Sequence, residues 1–514
     1  MGCCGCFTAK TLAQLKPGAV VKETVTRVSC EGEGAPGSIC YKLESGGDFR
    51  GDVRRTPLNT PDPDPETACQ CADCIFVDPS KAKDGDMLWR YPTHPSTEGG
   101  AAVAEDGGVV TIYHGDDIGF VYALRHPTPP NIQGVLVWKL RVSFNDGRQP
   151  DMDDLLGQTT PLVLGNSLFI AGSRSGRVYK IDRATGELRC YADLRARRGG
   201  WGFTGGFARS HDSTTVYIGS GDTCESGPAM YGDSIFAISA ADCSLMWDFK
   251  TTDGTTGIAA FLGGPIVDQD GIVLAASQNG WVYRLEDLGN AYQVVGKYSI
   301  GAKDKFSRDA IFAALALGAD GTVYFGSNDH YLYALQPDFH DQTGLKWKFK
   351  TYGEVFMVAH VRAGGYIYVG SEDGQVYALK DNGDSAALLW TFRLPLTKGE
   401  GGWMNHCLIT AKAGHKTILV CQDAVKKNYW ALDITDPNKK PASFYWESKL
   451  LDPKMVGDSD APSVDSNGIL YLVGERCIYA VKGHLPLDPT APWPSNHHDS
   501  QFSGRQPSPY FPGQ

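Results

Sequence analysis

The stretch DGTVYFGSNDHYLYAL, residues 320–335, places two short apolar runs on either side of a polar knot, Ser327-Asn328-Asp329-His330. Apolar and polar residues alternate with a period of two in each run, as in a strand that buries one face. Ser, Asn and Asp are residues that tight turns favour. The stretch therefore predicts a β-hairpin.

Near-copies of this hairpin recur along the chain, and one aromatic residue in the second strand of each copy marks the register. Successive markers lie roughly fifty residues apart, which is enough for four strands and their turns. Such sheets bury both faces by stacking around an axis, and closing the ring leaves only short edges. We predict an all-β fold, an eight-bladed β-propeller of four-stranded antiparallel sheets. The markers are Tyr122, Tyr179, Phe236, Tyr283, Tyr333, Tyr377, Trp430 and Tyr479.

A second aromatic follows each hairpin, after a turn and on the next strand. It is Trp138, Trp247, Trp347, Trp390 or Trp446 in five copies. Two copies depart, because TGELRCY puts Cys190 at this place and VVGKYSI is read as using Tyr298. We expect these rings to pack at blade junctions, where an indole buries a large area.

Trp89 comes before the first hairpin, with no complete blade ahead of it. We therefore expect an N-terminal strand around Trp89 to join the last blade, beside the strands around Tyr479, and to close the ring.

The chain is expected to divide into three parts. Residues 1–85 form an irregular, Cys-rich extension, residues 86–484 the propeller, and residues 485–514 a tail packed on it. The sequence has 14 cysteines, and CQCADC at 69–74 fits no standard zinc spacing, so bound metal, disulfides and free thiols stay open there. In the tail, His497, His498 and Asp499 suggest either a metal site or a surface segment, and we favour the segment.

The charge balance argues against nucleic acid as a partner. The net charge is −11 and the isoelectric point is near 5.6, whereas nucleic-acid binding needs clustered Lys and Arg. No apolar run approaches ~18 residues, and the first residues lack the apolar core of a secretory signal. We expect an intracellular protein, cytoplasmic or on a cytoplasmic membrane face, with free thiols.

The first six residues, MGCCGC, suggest a lipid anchor. Gly2 could carry myristate and Cys3 and Cys4 palmitate, and two acyl chains hold a protein firmly on a membrane. The usual motif has Ser or Thr at the sixth position, where this chain has Cys6. An unmodified Cys-rich start remains the alternative.

The phrases GSxDGxVYAL and TGxxxW resemble the repeats of the PQQ-like (quinoprotein alcohol dehydrogenase-like) eight-bladed propellers, over roughly residues 86–484. This superfamily contains quinone-dependent alcohol dehydrogenases and an outer-membrane assembly lipoprotein that binds partners. The resemblance implies the fold, but it does not choose between these functions.

The dehydrogenase members imply a set of site residues at matching positions. Asp222 stands where an Asn helps to ligate calcium, and Asp253 is the one acid near the place of the catalytic base. Gln278 replaces a Lys or Arg that contacts the quinone. Trp403 and Asn405, in GGWMNHC, resemble a segment that lines the dehydrogenase funnel, in reversed order.

These departures favour a scaffold over an enzyme, because catalysis needs an acid, a cation and cofactor contacts that converge. We expect a monomeric, non-catalytic propeller that binds a protein or a small ligand through its loop-bearing face or axial funnel. No cofactor is predicted on this interpretation. The alternative is a PQQ- and calcium-dependent alcohol dehydrogenase-type oxidoreductase, and a third interpretation is an architectural protein fixed by its ends.

Overall fold

The described residues form strands and turns, and they contain no helix that could cross a membrane. The computed structural model describes residues 25–28, 40–43, 53–55, 77–78, 80–94, 99–127, 134–144, 152–194, 202–221, 233–251, 260–301, 311–356, 358–393, 404–412, 414–423, 429–441, 443–448, 462–474, 477–483, 485–499, 501 and 503–506.

Eight antiparallel sheets, each built on a four-stranded core, account for the propeller, so the predicted fold is confirmed. We number them as blades 1–8 in the order of their hairpins, and the strands within a blade from first to fourth. Blade 1 comprises Ala102–Asp106, Val109–Gly115, Phe120–Arg125 and Val135–Phe144, and blade 2 comprises Leu162–Leu164, Ser167–Gly172, Arg177–Asp182 and Leu188–Asp193. Blade 3 comprises Phe207–Arg209, Thr215–Gly219, Ser234–Ser239 and Leu245–Lys250, and blade 4 comprises Ile266–Val267, Val273–Ser277, Trp281–Asp287 and Tyr292–Ser299. Blade 5 comprises Ala316–Leu317, Val323–Gly326, Tyr331–Leu335 and Leu345–Lys350, and blade 6 comprises His360–Arg362, Tyr366–Ser371, Gln375–Asp381 and Ala386–Arg393. Blade 7 comprises Met404–Ala411, Thr417–Asp423, Tyr429–Asp433 and Trp446–Ser448, and blade 8 comprises Ser463–Val464, Ile469–Val473, Cys477–Lys482 and Met87–Pro92.

Blade 8 is closed by a strand from the N-terminal side. Met87–Pro92 pairs antiparallel with Cys477–Lys482, and Trp89 lies opposite Ala480. The prediction for Trp89 is therefore confirmed, and the two distant parts of the chain are joined by main-chain hydrogen bonds.

Three further strands precede the ring. Val25–Val28 pairs with Cys40–Leu43, and Val53–Arg55 adds to the outer edge of blade 1 by pairing with its fourth strand. A two-residue strand, Met152–Asp153, pairs with the end of that same strand.

The first strands of neighbouring blades contact one another, so they surround the axis of the ring. Because consecutive strands are antiparallel, the turn between the second and third strands and the connection to the next blade leave from one end of the sheet. We call this end of the ring the loop face. The opposite end, with the first–second and third–fourth turns, is the turn face.

Indoles tie five of the eight blades to the following blade at the turn face. In these contacts the Nε1–H of a fourth-strand Trp donates to the third–fourth turn of the following blade, and in blade 8 the following blade is blade 1. The acceptors are the Arg183 carbonyl for Trp138 (2.9 Å), Asp287 Oδ1 for Trp247 (2.8 Å), Asp381 Oδ1 for Trp347 (3.0 Å), the Pro437 carbonyl for Trp390 (2.9 Å) and His126 Nδ1 for Trp89 (2.6 Å). In these five blades the Trp residue thus forms a hydrogen bond besides its expected packing, whereas Trp446 of blade 7 packs against Gly85 and its Nε1 has no partner among the described residues.

Blade 2 replaces the indole contact by a covalent one. Cys190 forms a disulfide with Cys243, which lies in the third–fourth turn of blade 3. The neighbouring Lys180 donates from Nζ to the carbonyls of Ala240 and Ala241 in the same turn, at 2.7 and 3.1 Å. The junction between blades 2 and 3 therefore uses a sulfur bridge and an ammonium where other blades use Trp.

In blade 4 the assignment of Tyr298 to the Trp position is wrong. The Trp residues pair with the residue that follows the marker aromatic, and in blade 4 that residue, Arg284, lies opposite Gly296. Phe339, from the third–fourth turn of blade 5, fills the vacated space, since a Cβ at Gly296 would come within 2.2 Å of its carbonyl oxygen. The Arg284 guanidinium lies 5.7 Å from the centre of the Phe339 ring.

Cysteine pairing inside the propeller contradicts the expectation of free thiols. Besides the pair in blades 2 and 3, Cys407 and Cys421 form a disulfide across the first two strands of blade 7. Cys477 is also disulfide-bonded. No local sequence pattern indicates these pairs, because the partners meet only through strand register or blade stacking.

We expect the Cys190→Ser/Cys243→Ser variant to unfold more easily than the Cys407→Ser/Cys421→Ser variant. The first pair closes a loop of 53 residues and the second a loop of 14. In the chain-entropy model the losses are about 4 and about 3 kcal/mol. Chemical denaturation of both variants measures the difference, and labelling of Cys190 by a maleimide in the native protein without reductant would contradict the pairing itself.

The C-terminal tail lies along the axis, against the first strands of six blades. Its backbone pairs with theirs near their turn-face ends, and Trp493 is fully buried there. The main-chain contacts to the tail are Val163 N to Gln501 O (3.1 Å), Arg209 N to Ser503 O (3.0 Å), Val267 N to Gly504 O (2.7 Å), Val361 N to Trp493 O (2.9 Å) and Ile409 N to Pro494 O (2.7 Å). Gln506 Nε2 donates to the Gly318 carbonyl of blade 5 at 3.0 Å. The tail thus occupies the turn-face end of the axis.

Candidate functional site at the loop face

Of the five residues singled out by the dehydrogenase resemblance, the structure describes one in full and the backbone of another. Asp222, Asp253 and Trp403 lie outside the described residues, as do Gly2, Cys3 and Cys4. The backbone of Asn405 is in the first strand of blade 7, and its side chain is not described. Gln278 is described in full.

Gln278 lies half-buried in the second–third turn of blade 4. Its backbone N–H donates to the Ala260 carbonyl at 2.8 Å, and its Oε1 has no hydrogen-bond partner among the described residues. This oxygen can accept a hydrogen bond from a ligand. It is uncharged, however, and cannot neutralise a reduced quinone.

The described residues do not assemble the donor set that PQQ and calcium would require. Within the described ranges, no group of three or more His, Cys, Asp and Glu side chains could hold a metal ion. Gln278 alone does not make a cofactor site. We therefore derive no catalytic step.

The tail histidines lie in a turn of the tail and not in a strand. His497 and His498 both have positive φ, 49° and 74°. The buried His497 ring lies against the backbone of blade 3, where a Cβ on Gly206 would come within 2.3 Å of its Nε2. His498 packs edge-on against Trp493, with 5.3 Å between ring centres. Both rings thus pack the tail into the axis.

Most aspartates of the loop-face turns have a structural role. Asp116 accepts hydrogen bonds from the backbone of Ile118 and Phe120 and from the Tyr122 hydroxyl, the last at 2.6 Å. Burial, followed by the Asp116 charge, raises the pKa of Tyr122 well above its usual value. The marker tyrosines bond in the same way in other blades. The pairs are Tyr179 with Asp154, Tyr333 with Asp329, and Tyr377 with Asp373. These carboxylates fix the turns and are not available for chemistry.

The connections between blades pass from one turn to the next by a recurring pair of backbone hydrogen bonds. One residue of the connection donates its N–H to the second–third turn of the preceding blade. The carbonyl of the residue before it accepts an N–H from the second–third turn of the following blade. The pairs are Leu156 N to Asp116 O (2.9 Å) and Ser173 N to Leu155 O (2.9 Å); Phe261 N to Ser220 O (3.0 Å) and Gln278 N to Ala260 O (2.8 Å); Val355 N to Ser327 O (3.1 Å) and Glu372 N to Glu354 O (3.0 Å). The side chains of these turns are therefore held in place around the loop face.

Between blades 5 and 6 this arrangement brings two acids together. Glu354 lies in the connection and Glu372 in the turn of blade 6, and both are half-buried. Burial and the charge of Glu354 raise the pKa of Glu372 to about 7 from an ordinary 4.5. Asn328, in the turn of blade 5, is 6% exposed, and its Oδ1 has no hydrogen-bond partner among the described residues. We call Asn328, Glu354 and Glu372 the acidic rim.

Aromatic side chains flank the acidic rim. Tyr352, two residues before Glu354, is 84% exposed and stands out from the loop face. Phe356 packs edge-on against Phe312 from the neighbouring connection, with ring centres 5.4 Å apart. The surface therefore combines acceptor oxygens with exposed and half-buried rings, a composition typical of binding sites.

We expect Glu372→Gln to raise the melting temperature at about pH 8 and to leave it nearly unchanged at about pH 5. The folded protein keeps the Glu372 proton up to about pH 7, whereas the unfolded chain releases it near its ordinary value. The folded state thus binds more protons in this window, and its stability is lost as the pH rises. Calorimetry of both proteins across the window measures this, and a parallel pH dependence would contradict the raised pKa.

Eight blades with a Trp row at the turn face and Asp–Tyr turns at the loop face define a PQQ-like β-propeller. The chain belongs to the family whose model is described as PQQ_2, outer membrane protein assembly factor BamB, which matches residues 77–338. The family resemblance found in the sequence is therefore confirmed. The match includes the first four blades and most of the fifth.

Solved structures share the fold at low sequence identity. BamB from Moraxella catarrhalis is 14% identical with a TM-score of 0.51, over 77% of this chain and 99% of that one. Sqt1 from Chaetomium thermophilum is 12% identical with a TM-score of 0.54, over 78% of this chain and all of that one. The same protein bound to the N-terminus of the ribosomal protein L10 is 13% identical with a TM-score of 0.53, with the same shares covered. No curated protein matches the sequence significantly.

Proposed function

We propose that this protein is a non-catalytic scaffold that binds another protein through its loop face. The observation that carries the proposal is the set of polar and aromatic groups that the loop face presents, whereas the tail packs along the axis at the turn face. At the loop face, Gln278 and Asn328 present buried acceptor atoms without described partners, beside the exposed ring of Tyr352.

The relatives support a protein-binding role for a propeller of this kind. BamB is described as an assembly factor, and one Sqt1 structure holds the N-terminus of a ribosomal protein. We take from them the kind of function, protein binding, and not the identity of the partner.

Site-specific photocrosslinking tests which face binds. Benzoylphenylalanine is placed at Tyr352 or Gln278 on the loop face, and at Leu288 or Asp384 on the turn face as matched controls. We expect the loop-face positions to crosslink the same partner in the native cells and the turn-face positions not to do so. Equal crosslinking from both faces would contradict the proposal, as would alcohol-dependent dye reduction by the purified protein supplied with PQQ and calcium.

The N-terminal anchor is a second element of the proposal. Acylation of Gly2, Cys3 and Cys4 would hold the scaffold at a membrane surface. The propeller disulfides argue against the expected cytoplasmic location, because paired cysteines are rare where glutathione keeps thiols reduced. We expect Gly2→Ala to move the protein from the membrane fraction to the supernatant, and unchanged partitioning would remove the anchor from the account.

A further inference from the structure

We propose that His211 is a pH-sensitive switch, which holds the C-terminal tail on the turn face at neutral pH and releases part of it in acid. The switch lies at the end of the ring opposite the loop face, and it goes beyond the binding function proposed above. It is carried by the position of the imidazole ring between two blades and the tail, and by the hydrogen bonds of its two nitrogens.

The part of the tail in question, residues 503–506, lies between the first strands of blades 3 and 4. The Val267 N–H donates to the Gly504 carbonyl at 2.7 Å, and the Val267 carbonyl accepts the N–H of Gln506 at 2.8 Å. Gly504 also lies against blade 3, where an added Cβ would come within 2.4 Å of the Phe207 carbonyl oxygen. The 503–506 segment thus joins the two blades through its backbone.

His211, in the first–second turn of blade 3, makes the same connection with its buried side chain. Its Nε2 lies 2.7 Å from the carbonyl oxygen of Asp268 in blade 4, and its Nδ1 lies 3.2 Å from Nη1 of Arg505 in the tail. A carbonyl oxygen only accepts hydrogen bonds, and a guanidinium only donates them. The ring is therefore neutral, with its proton on Nε2 and the lone pair of Nδ1 directed at Arg505.

Protonation of His211 removes the acceptor that Arg505 uses. The imidazolium places an N–H and a positive charge against the guanidinium, which keeps the His211 carbonyl as an acceptor at 3.4 Å. Arg209 adds another positive charge, and burial and the Arg505 charge already lower its pKa to about 10. Asp499 of the tail attracts both guanidinium groups, so they stay beside the ring. Acid therefore sets the 503–506 segment against blade 3.

The surroundings of the His211 ring favour its neutral form in sum. Burial lowers the pKa of His211 from its ordinary 6.5, and the charges of Arg505 and Arg209 act in the same direction. The Asp268 carbonyl and the charge of the exposed Asp212 act in the opposite direction. Below its ordinary pKa, His211 binds fewer protons with the tail in place than with the tail released. Stability of the contact is thus lost as the pH falls.

The Asp268 carboxyl group is a second acid at this contact. Its Oδ1 accepts the backbone N–H groups of Asp270 and Ile272, at 2.9 Å each, and burial raises its pKa. Protonating this carboxylate changes the turn of blade 4 but keeps the carbonyl that His211 uses. Variants that keep Asp268 therefore separate the two groups.

Local hydrogen exchange tests the switch, because global melting in the same pH range also reports on Glu372. Exchange of the 503–506 segment and of the first strand of blade 4 is measured in the full chain at about pH 7.5 and about pH 5.5. The rates are corrected for the intrinsic pH dependence of amide exchange. We expect them to be at least about fivefold faster at the lower pH, as for the loss of one hydrogen bond.

Two substitutions remove the switch in different ways. His211→Asn keeps an oxygen that can accept from Arg505, but it does not titrate. Arg505→Gln supplies a donor for the neutral ring and an oxygen for the protonated one. Both variants should lose the acid response, whereas His340→Asn, which changes an exposed histidine in the third–fourth turn of blade 5, should keep it.

A full acid response in either His211→Asn or Arg505→Gln would overturn the proposal. Loss of the response in His340→Asn would overturn it as well, and so would a wild-type segment that exchanges alike at both pH values. Because these measurements concern the turn face, they do not decide the loop-face binding function, which the crosslinking experiment tests separately.

Discussion

Replacing Trp89 by alanine will lower the free energy of unfolding by about 3–5 kcal/mol, an effect expected for a residue that locks the ring. Trp89 is fully buried and donates from Nε1 to His126 of blade 1. Its ring packs on Tyr471 at 6.0 Å between centres, and a Cβ on Gly134 would lie 2.6 Å from it. The substitution therefore leaves a cavity and an unmatched imidazole where the two ends of the ring meet.

Trp281→Ala is the matched control for that measurement. Trp281 is half-buried in the third strand of blade 4 and stacks on Tyr283 within its own blade. In urea denaturation we expect Trp281→Ala to lower the free energy of unfolding clearly less than Trp89→Ala does. Trp89→Phe should lower it by an intermediate amount. Similar losses for Trp89→Ala and Trp281→Ala would show that the junction of blades 8 and 1 has no special weight.

Removing residues 485–514 will destabilise the propeller by at least about 5 kcal/mol. The tail buries Trp493 completely and forms main-chain hydrogen bonds with the first strands of blades on both sides of the axis. Its loss would leave the inner N–H groups of Val163, Arg209, Val267, Val361 and Ile409 without these acceptors.

A peptide control accompanies the truncation. A synthetic peptide of residues 485–514 should restore stability when added in trans. Hydrogen exchange should show the largest gain in the first strands. If the long truncation melts like the full chain, the tail does not contribute to the core.

Local patterning was enough to predict the frame of this protein. The period-two alternation and its turn residues mark every hairpin, and the marker aromatics set a register that the structure keeps in all eight blades. Trp89 could be placed because it precedes the first hairpin and has no blade of its own. Its strand therefore had to pair with a blade elsewhere in the chain, which is blade 8. The expected occupant of the Trp position was wrong in blade 4, because Gly296, two residues before Tyr298, lies opposite Arg284.

The blade 4 departure has a signal in the sequence. The residue after the marker aromatic is Ala in the blades with a junction Trp, but it is Lys180 in blade 2 and Arg284 in blade 4. The longer side chain occupies space at the junction where the indole is absent. A long side chain after the marker aromatic therefore indicates that the residue opposite it is not Trp, as with Cys190 in blade 2 and Gly296 in blade 4.

The site was less predictable, because it depends on contacts between segments far apart in the chain. The two cysteine pairs and the axial course of the tail arise from strand register and blade stacking, which periodicity does not report. Glu354 and Glu372 belong to a connection and a turn whose spacing in the sequence carries no motif. Their proximity follows from the backbone hydrogen bonds between blades 5 and 6.

Hydrogen exchange of the protein in complex with its crosslinked partner tests the central claim, that the loop face is the binding surface, most directly. We predict protection of the second–third turns of blades 4–6 and of the connection around Glu354, with unchanged exchange in the third–fourth turns around Leu288 and Asp384. Protection confined to the third–fourth turns or to the outer strands would contradict the account.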